Sequence, residues 1–536
     1  MDTPQLITAL SRPEAYGFAV ERIEVRQTHV SVLFFAGELV YKVKKPVDLG
    51  FLDFTTLEKR HHFCQEEIRL NRRLAPDMYL GIVPVVREPD GSARIAAAGE
   101  TPGEQEIIDY AVEMRRLPEE RMMDRLLDQG AVDDTVVDEI VDVILEFHRA
   151  GATGPGVDEH GTPDAVARGT LVNLEETEPF VEGPDREGTL SETLYRYLWG
   201  SAGAFVARNR DLLDQRVREG RIRDGHGDLH AANICLTDDG IVIYDCIEFD
   251  PGIRCADVAK DLAFLIMDLE ARGLRDLGNH VVERYVRAAA DPDLDTLLPL
   301  YKAHLACVRG KVNSIAAGDR SIDAADRSRA RLEAMRYFHL AAPYWLPPAL
   351  IVMCGLPGSG KSSAARHLER PLGAAVLCGD VIRKRLAGIP ATAHPSGPEA
   401  EALYSRRSSQ ETFGTMLGEA RTLLVEGRAV IADATFPHRG SRAPFVELAR
   451  SLGAPYVVVY LDCPEPVIAE RMRKRPEAQD EVSDADWEVY QQFKGHFEPP
   501  DEIPPGNLVT TDSTGDPETM TAQLIDRLIG QLPRLP

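Results

Sequence analysis

Up to about residue 115 the apolar positions fall into short β-rich blocks. The stretch "HVSVLFFAGELVYKVKK", residues 29–45, holds two of them around Gly37, the pattern of an antiparallel hairpin. "TTLEKRHHFCQEEIRLNRRLA", residues 55–75, then reads as a helix of good formers stopped by Pro76. "YLGIVPVVRE" and "IIDYAVEMRRLP" return to strand. From about 120 to 345 the chain is mostly helical, broken by two short strands in "ICLTDDGIVIYD". Beyond residue 348, apolar runs in "LIVMCG", "AVIADAT" and "YVVVYLD" alternate with helices, which predicts a parallel α/β sheet.

Pro343, Pro347 and Pro348 interrupt helix-like sequence just before an apolar strand, and mark a linker. The expected division is 1–342 and 349–536, the first part having a small lobe of about 1–115 and a helical lobe of about 116–342. A Gly/Pro-rich region at 150–170 divides lobes or decorates one of them. The total of 536 residues leads to the same prior of two or three domains. With 44% apolar and 27% charged residues, and no apolar run of membrane-spanning length, the composition is that of a soluble globular protein. The N-terminus has no basic stretch leading into an apolar one, and the eight cysteines contain no C-x-x-C pair. Reduced core thiols and a cytoplasmic location are the expectation. The net charge of −25, most of it before residue 345, argues against broad nucleic-acid binding.

Two stretches carry chemistry. In "HGDLHAANICLTDDGIVIYDCIEFD", Asp228 and Asn233 follow His226 in the order H-x-D-x-x-x-x-N, the spacing of a kinase catalytic loop. Asp245 ends the following apolar strand, where a magnesium-binding Asp belongs. Asp228 would take the proton of an accepting hydroxyl, and Asn233 and Asp245 would hold Mg²⁺. The hairpin turning at "TDDG" would bring those two ligands together. Asp257 and Asp261 are expected to cap and pack a helix, and His148 and His230 to be structural.

The second stretch, "GLPGSGKS", fits G-x-x-x-x-G-K-[ST] between a strand and a helix. Gly355, Leu356, Pro357, Gly358, Ser359, Gly360, Lys361, Ser362 and Ser363 would wrap the phosphates of ATP. Lys361 would neutralise their charge, and Ser362 would ligate Mg²⁺. Asp380 at a strand end, with Arg383 one helical turn beyond, suits activation of a hydroxyl beside an anion-binding group. Asp433 closes another apolar strand in a metal-binding position. Arg471 and Arg475, four apart, would share a helix face as a lid does.

The first stretch resembles the aminoglycoside phosphotransferase family, a kinase-like fold that also holds choline and small-sugar kinases. The match spans residues 1 to about 340, with strong motifs at 226–245 only. The resemblance implies an α+β bilobal fold, with a strand lysine on the ATP phosphates and a helix glutamate paired with it. Lys42 and Lys44 compete for the first role, with Lys42 preferred, and Glu67 takes the second, with Glu66 as the alternative. Met114 would lie in the hinge that meets adenine. The chain departs from protein kinases in lacking G-x-G-x-x-G, and the loop over the phosphates would be "RQTHVS", with Thr28 and Ser31. Residues 349–536 are similar to P-loop kinases of the zeta-toxin, gluconate-kinase and polynucleotide-kinase types. That likeness implies an α/β domain with Asp380 as base and lid arginines stabilising the transferred charge.

The combined expectation is a bifunctional phosphotransferase, each part passing the γ-phosphoryl of ATP to a hydroxyl of a small molecule. In the alternative, the N-terminal part binds nucleotide without turnover and regulates or feeds the P-loop kinase. Modification of aminoglycosides is a third reading. The acceptors would sit against residues 150–220 and 384–412. A nucleic-acid end stays open as an acceptor of the C-terminal part.

Overall fold

The computed structural model describes residues 2–532 except 51, 98–99, 101, 104–105, 185, 321–322, 396, 475–483, 486 and 516. Packing divides the chain into two compact units. The first comprises Met1–Val166, Arg208–Leu269 and Leu274–Tyr301, and the second comprises Ala167–Ala207, Glu270–Gly273 and Lys302–Pro536. This cut differs from the expected one at 342/349. Helices assigned from sequence to the N-terminal part pack with the P-loop part. The proline-marked segment is itself packed: Tyr344 and Trp345 are buried, and Trp345 lies 5.6 Å from the Phe205 ring. Its prolines do end a helix and precede a strand, but its aromatics pull it inside.

The first unit opens with a six-stranded antiparallel sheet. Its strands are β1 (Ile23–Gln27), β2 (Ser31–Ala36), β3 (Leu39–Lys44), β4 (Tyr79–Arg87), β5 (Ala93–Ile95) and β6 (Ile107–Arg115), in the order β1-β2-β3-β6-β4-β5. Alternation along β3 sorts its residues by face. Tyr41 and Val43 pack under the N-terminal helix Thr3–Leu10 with Leu6, Leu10 and Phe34. Val40 faces the other way, onto Cys64 and Ile68 of the helix Leu57–Asn71 and onto Tyr79 and Met114. Lys42 and Lys44 share Val40's face, so they point at that helix.

The Leu57–Asn71 helix starts at Thr56, whose hydroxyl accepts from the Lys59 N–H. Of its buried residues, Arg60, Cys64, Glu67, Ile68 and Asn71 follow helical spacing and form one face, and Leu70 is buried beside them in sequence. That face mixes apolar groups, worth about 2 kcal/mol per buried aliphatic side chain, with Glu67 and Asn71, which reach the site, and Arg60, which pairs with Asp109.

Two small antiparallel ladders follow, β7 (Ile222–Asp224) with β10 (Cys255–Asp257) and β8 (Ile234–Thr237) with β9 (Gly240–Ile243). Helices surround them, including Asp134–Ala150, Val258–Ala271 and Arg275–Ala289. Fully buried Arg216 makes a bidentate pair at 2.7 Å with Asp257, and also pairs with Asp291.

The second unit contains a five-stranded parallel sheet of β11 (Leu350–Cys354), β12 (Ala375–Cys378), β13 (Val430–Asp433), β14 (Tyr456–Leu461) and β15 (Leu508–Thr511), in the order β12-β13-β11-β14-β15. Every pairing in it is parallel. All five residues of β11 are buried, as expected for a central strand covered on both faces. The eight cysteines are free thiols, and six of them are buried. Among the described residues no helix is long and apolar enough to cross a membrane.

Candidate active sites

The first site lies in the first unit. Lys42 Nζ stands 2.8 Å from Glu67 Oε1 and 2.7 Å from Asp245 Oδ1. Lys44 Nζ holds the other oxygen of the same glutamate, Oε2, at 2.6 Å. Both lysines therefore pair with Glu67, and of the two it is Lys42 that reaches Asp245. Glu66 is instead on the outer face, in an ion pair with Arg69. Burial alone would pull the Lys42 pKa down, but Asp245, Glu67 and Glu248 outweigh it and hold the amine charged well above its ordinary value. Burial likewise pushes Asp245 up, and Lys42 followed by Lys44 brings it below the usual carboxylate range.

The β8–β9 hairpin does what its sequence implied. Ile234 pairs with Ile243, and the Tyr244 N–H donates to the Asn233 carbonyl at 3.0 Å, so Asn233 and the Tyr244–Asp245 segment share one end of the ladder. Asp245 has φ 64°, a left-handed conformation that a non-glycine residue holds only at a cost of about 1 kcal/mol or more. Its N–H donates to the Tyr79 hydroxyl, and the next N–H, of Cys246, donates to Asn71 Oδ1 at 2.9 Å. Asn233 Nδ2 donates to both the carbonyl and the Oδ2 of Asp228, at 2.9 and 3.0 Å. With Nδ2 so engaged, Oδ1 is the amide atom suited to a cation.

His226 ties the two segments together. The Asp228 N–H donates to Nδ1, which leaves Nε2 to donate to the Tyr244 carbonyl at 3.1 Å. Burial lowers the pKa of this ring, in keeping with that neutral tautomer. Asp257 caps and packs as expected, accepting from the Ala259 N–H and from Arg216. Asp261 does more, because its two oxygens take the N–H groups of His226 and Gly227 at 2.7 and 2.8 Å while His148 Nε2 lies 3.3 Å away. It is an anchor for the loop that carries Asp228. His230, expected to be structural, stands with Nε2 3.5 Å from Asp228 Oδ2. Met114 lies inside β6, buried and paired with Val40 and Tyr79, and the chain leaves that strand only after Arg115. Thr28 accepts from the N–H groups of Val30 and Ser31 and so closes its own turn, while Ser31 is buried.

Burial raises the Asp261 carboxyl, yet its hydrogen bond with His148 and the charges around it bring it down to about 2, against an ordinary 3.8. A carboxyl whose folded value is depressed stabilises the fold above its unfolded value, and that contribution is lost as the pH falls towards the folded one. Asp261→Asn is therefore expected to cost on the order of 2 kcal/mol near neutrality and to flatten the loss of stability between about pH 4 and pH 2. Urea melts across that range measure both effects. Parallel acid limbs for variant and parent would contradict the assignment.

The second site surrounds the turn between β11 and the helix Lys361–Leu372. Gly355, Gly358 and Gly360 have φ of 152°, 79° and 94°. A Cβ at Gly355 would meet the Leu461 carbonyl oxygen at 2.8 Å, so backbone geometry and space both demand glycine there. Lys361 is mostly buried, with Nζ 2.8 Å from the Leu356 carbonyl. Leu356 packs against Ile468, Met472 and Tyr490. The Ser359 carbonyl accepts from the Ser513 hydroxyl at 2.6 Å, and the Ser363 carbonyl contacts His367. Asp433 ends β13, buried; burial raises its pKa, opposed by a hydrogen bond with Ser362 and by the charge of Lys361. Ser362 and Asp433 are therefore together, as a shared metal role requires.

Asp380 falls in the helix Gly379–Leu386 that follows β12, with Arg383 Nε 4.0 Å from its Oδ1. The Arg383 guanidinium also lies 4.6 Å over the Tyr404 ring. Arg471 binds the hydroxyl and carbonyl of Ser513, and a Cβ at Gly360 would come within 3.2 Å of its Nη1. It lies against the glycine-rich turn and is not a solvated surface charge. Arg475 lies outside the described residues.

A bilobal phosphotransferase site and a P-loop kinase site define the class of this chain. Residues 54–300 match the phosphotransferase enzyme family, and residues 350–500 match an AAA domain family. Uncharacterized proteins of Mycobacterium tuberculosis and Mycobacterium bovis are 32% identical to this chain over 455 residues, 84% of its length and 86% of theirs. The chain belongs to their family. An adenylyl-sulfate kinase of Myxococcus xanthus is 31% identical over 127 residues, 23% of this chain and 62% of that protein. Among solved structures, the APS kinase CysC of Mycobacterium tuberculosis is 23% identical, covering 34% of this chain and 98% of its own, with a TM-score of 0.26. A gluconokinase of Sinorhizobium meliloti is 21% identical, over 34% of this chain and 91% of its own, with a TM-score of 0.25. Both parts are thus of phosphotransferase or kinase-type families.

Sequence reasoning missed Glu248, Asp261, Tyr79 and Asn71 as parts of the first site. Glu248 and Asp261 stood close to the motif as acidic residues, a signal that could have been followed. Tyr79 and Asn71 carried no local signal, because their partners lie more than 160 positions away.

Proposed function

We propose that both parts transfer the γ-phosphoryl of ATP to a hydroxyl of a small molecule, each in its own site. The observation that carries the reading is the union of Lys42, Glu67 and Asp245 in one ion-paired set, with Asp245 tied through Tyr244 and Asn233 to the loop that holds Asp228. In the first site Lys42 would grip the α/β-phosphates, and Asn233 Oδ1 and Asp245 would ligate Mg²⁺. These hard oxygens, with Ser362 and Asp433 in the second site, suit that ion. Bound magnesium supplies charge neutralisation on the phosphates. Asp228, oriented by Asn233, would accept the proton of the attacking hydroxyl. In the second site the glycine turn and Lys361 would wrap the phosphates, Asp380 would take the acceptor's proton, and Arg383, Arg471 and Arg475 would offset developing negative charge. Catalysis on this reading is positioning and electrostatics, with no covalent intermediate.

The test is a transfer screen with γ-labelled ATP and Mg²⁺ against sugars, amino sugars, nucleosides and aminoglycosides, using the full chain. Label recovered on a hydroxyl acceptor supports the reading. Label that reaches only water with every acceptor class would overturn it.

A further inference from the structure

Glu67 does not serve a single lysine. Its two carboxylate oxygens are divided, Oε1 to Lys42 and Oε2 to Lys44, and Lys44 is paired in turn with Glu248. The result is a row of five charges alternating in sign: Asp245, Lys42, Glu67, Lys44, Glu248. Lys44 and Glu67 are essentially inaccessible, and Glu248 nearly so. The Phe54 ring, 4.9 Å from Lys44 Nζ, closes another side of the inner lysine. The outer carboxylates are three residues apart in one short segment, and that segment is pinned to the same helix through Asn71 and the Cys246 N–H. Both ends of the row are thus tied together by the backbone.

We infer that Lys44 and Glu248 are positioning residues of the first site, which divide Glu67 between two lysines and so set where Lys42 and Asp245 meet a nucleotide. The inference rests on the nucleotide-binding reading of that site. A carboxylate with one lysine partner can turn both oxygens onto it and draw it away from Asp245. With Lys44 on Oε2, Glu67 offers Lys42 one oxygen only. The charge of Glu248 is needed in turn, because without it Lys44 would draw Glu67 to itself and release Lys42 onto Asp245, the residue proposed for the cation. Neither Lys44 nor Glu248 needs to touch ATP for this. Every charge in the row instead leads to the two groups that do.

The experiment is a double-mutant cycle on the full chain, with Lys361→Ala present to silence the second site. The probe is a non-hydrolysable ATP analogue with Mg²⁺, titrated by calorimetry. Glu248→Gln is expected to raise Kd at least about fivefold. That loss should disappear when Lys42→Ala is already present, since the effect passes through Lys42. Should Glu248→Gln not fold, Lys44→Arg, which keeps the charge but alters its reach, carries the same cycle. An equal loss with and without Lys42, or no loss in a variant that melts like its parent, would overturn the inference. No binding by the Lys361→Ala parent would remove the functional reading beneath it, and the inference with it. Binding that depends on Lys42 but not on Glu248 removes the inference alone.

Discussion

Lys361→Ala is expected to lower phosphoryl transfer by the P-loop part about 10²–10³-fold. The lysine begins the helix Lys361–Leu372, where unsatisfied backbone N–H groups already favour an anion. Its ammonium sits in a largely buried position beside the Leu356 carbonyl and close enough to Asp433 to oppose the rise that burial gives that carboxyl's pKa. Low solvent exposure makes a charge there worth far more than on a surface. Alanine keeps the helix and leaves the glycine turn unchanged, so a thermal melt close to the parent's should accompany the loss. Transfer rates on whichever acceptor the screen identifies, compared with those of the first site, measure the effect. Undiminished transfer by that part would contradict the role given to the turn.

Asp228→Asn is expected to abolish transfer by the first site, a drop of about 10³-fold, while leaving nucleotide affinity near the parent's. The substitution keeps the shape of the side chain and removes its capacity to take a proton. The Asn233 amide still donates to the main-chain carbonyl at residue 228, so the loop retains one of its two ties. The same variant separates the proposed activity from a purely regulatory nucleotide site. A sensor needs no base, and its output would survive. Label transfer and nucleotide titration, run side by side, report the two quantities. A parallel loss of binding would show instead that Asp228 holds the nucleotide or the fold.

The residues of the first site were legible to unequal degrees. Lys42 and Lys44 could be placed on one face of a strand because side chains alternate there, and the choice between them could not be made. It depended on Asp245, some two hundred positions along, which only folding brings to Lys42. Glu67 is preferred to Glu66 from the sequence alone, and it is the one on the buried helix face, while Glu66 is spent on Arg69 outside. Asp261 was read as a helix residue, which it is, but its carboxylate turns back onto the N–H groups of the loop. Thr28 looked available to phosphates and is engaged in its own turn.

Local chemistry determined a good deal without any coordinates. The glycine turn before Lys361, the parallel sheet that carries it, and the loop holding Asp228 and Asn233 all follow from short-range rules. Glycine alone tolerates those backbone angles, apolar runs bury as strands, and a two-residue hairpin must return beside its start. Tertiary structure decided which helices pack with which part, and how Glu67 is shared between two lysines. Those outcomes depend on burial and on pairing of charges far apart in the chain. The cost of leaving such groups unpaired away from water is paid only in the folded state.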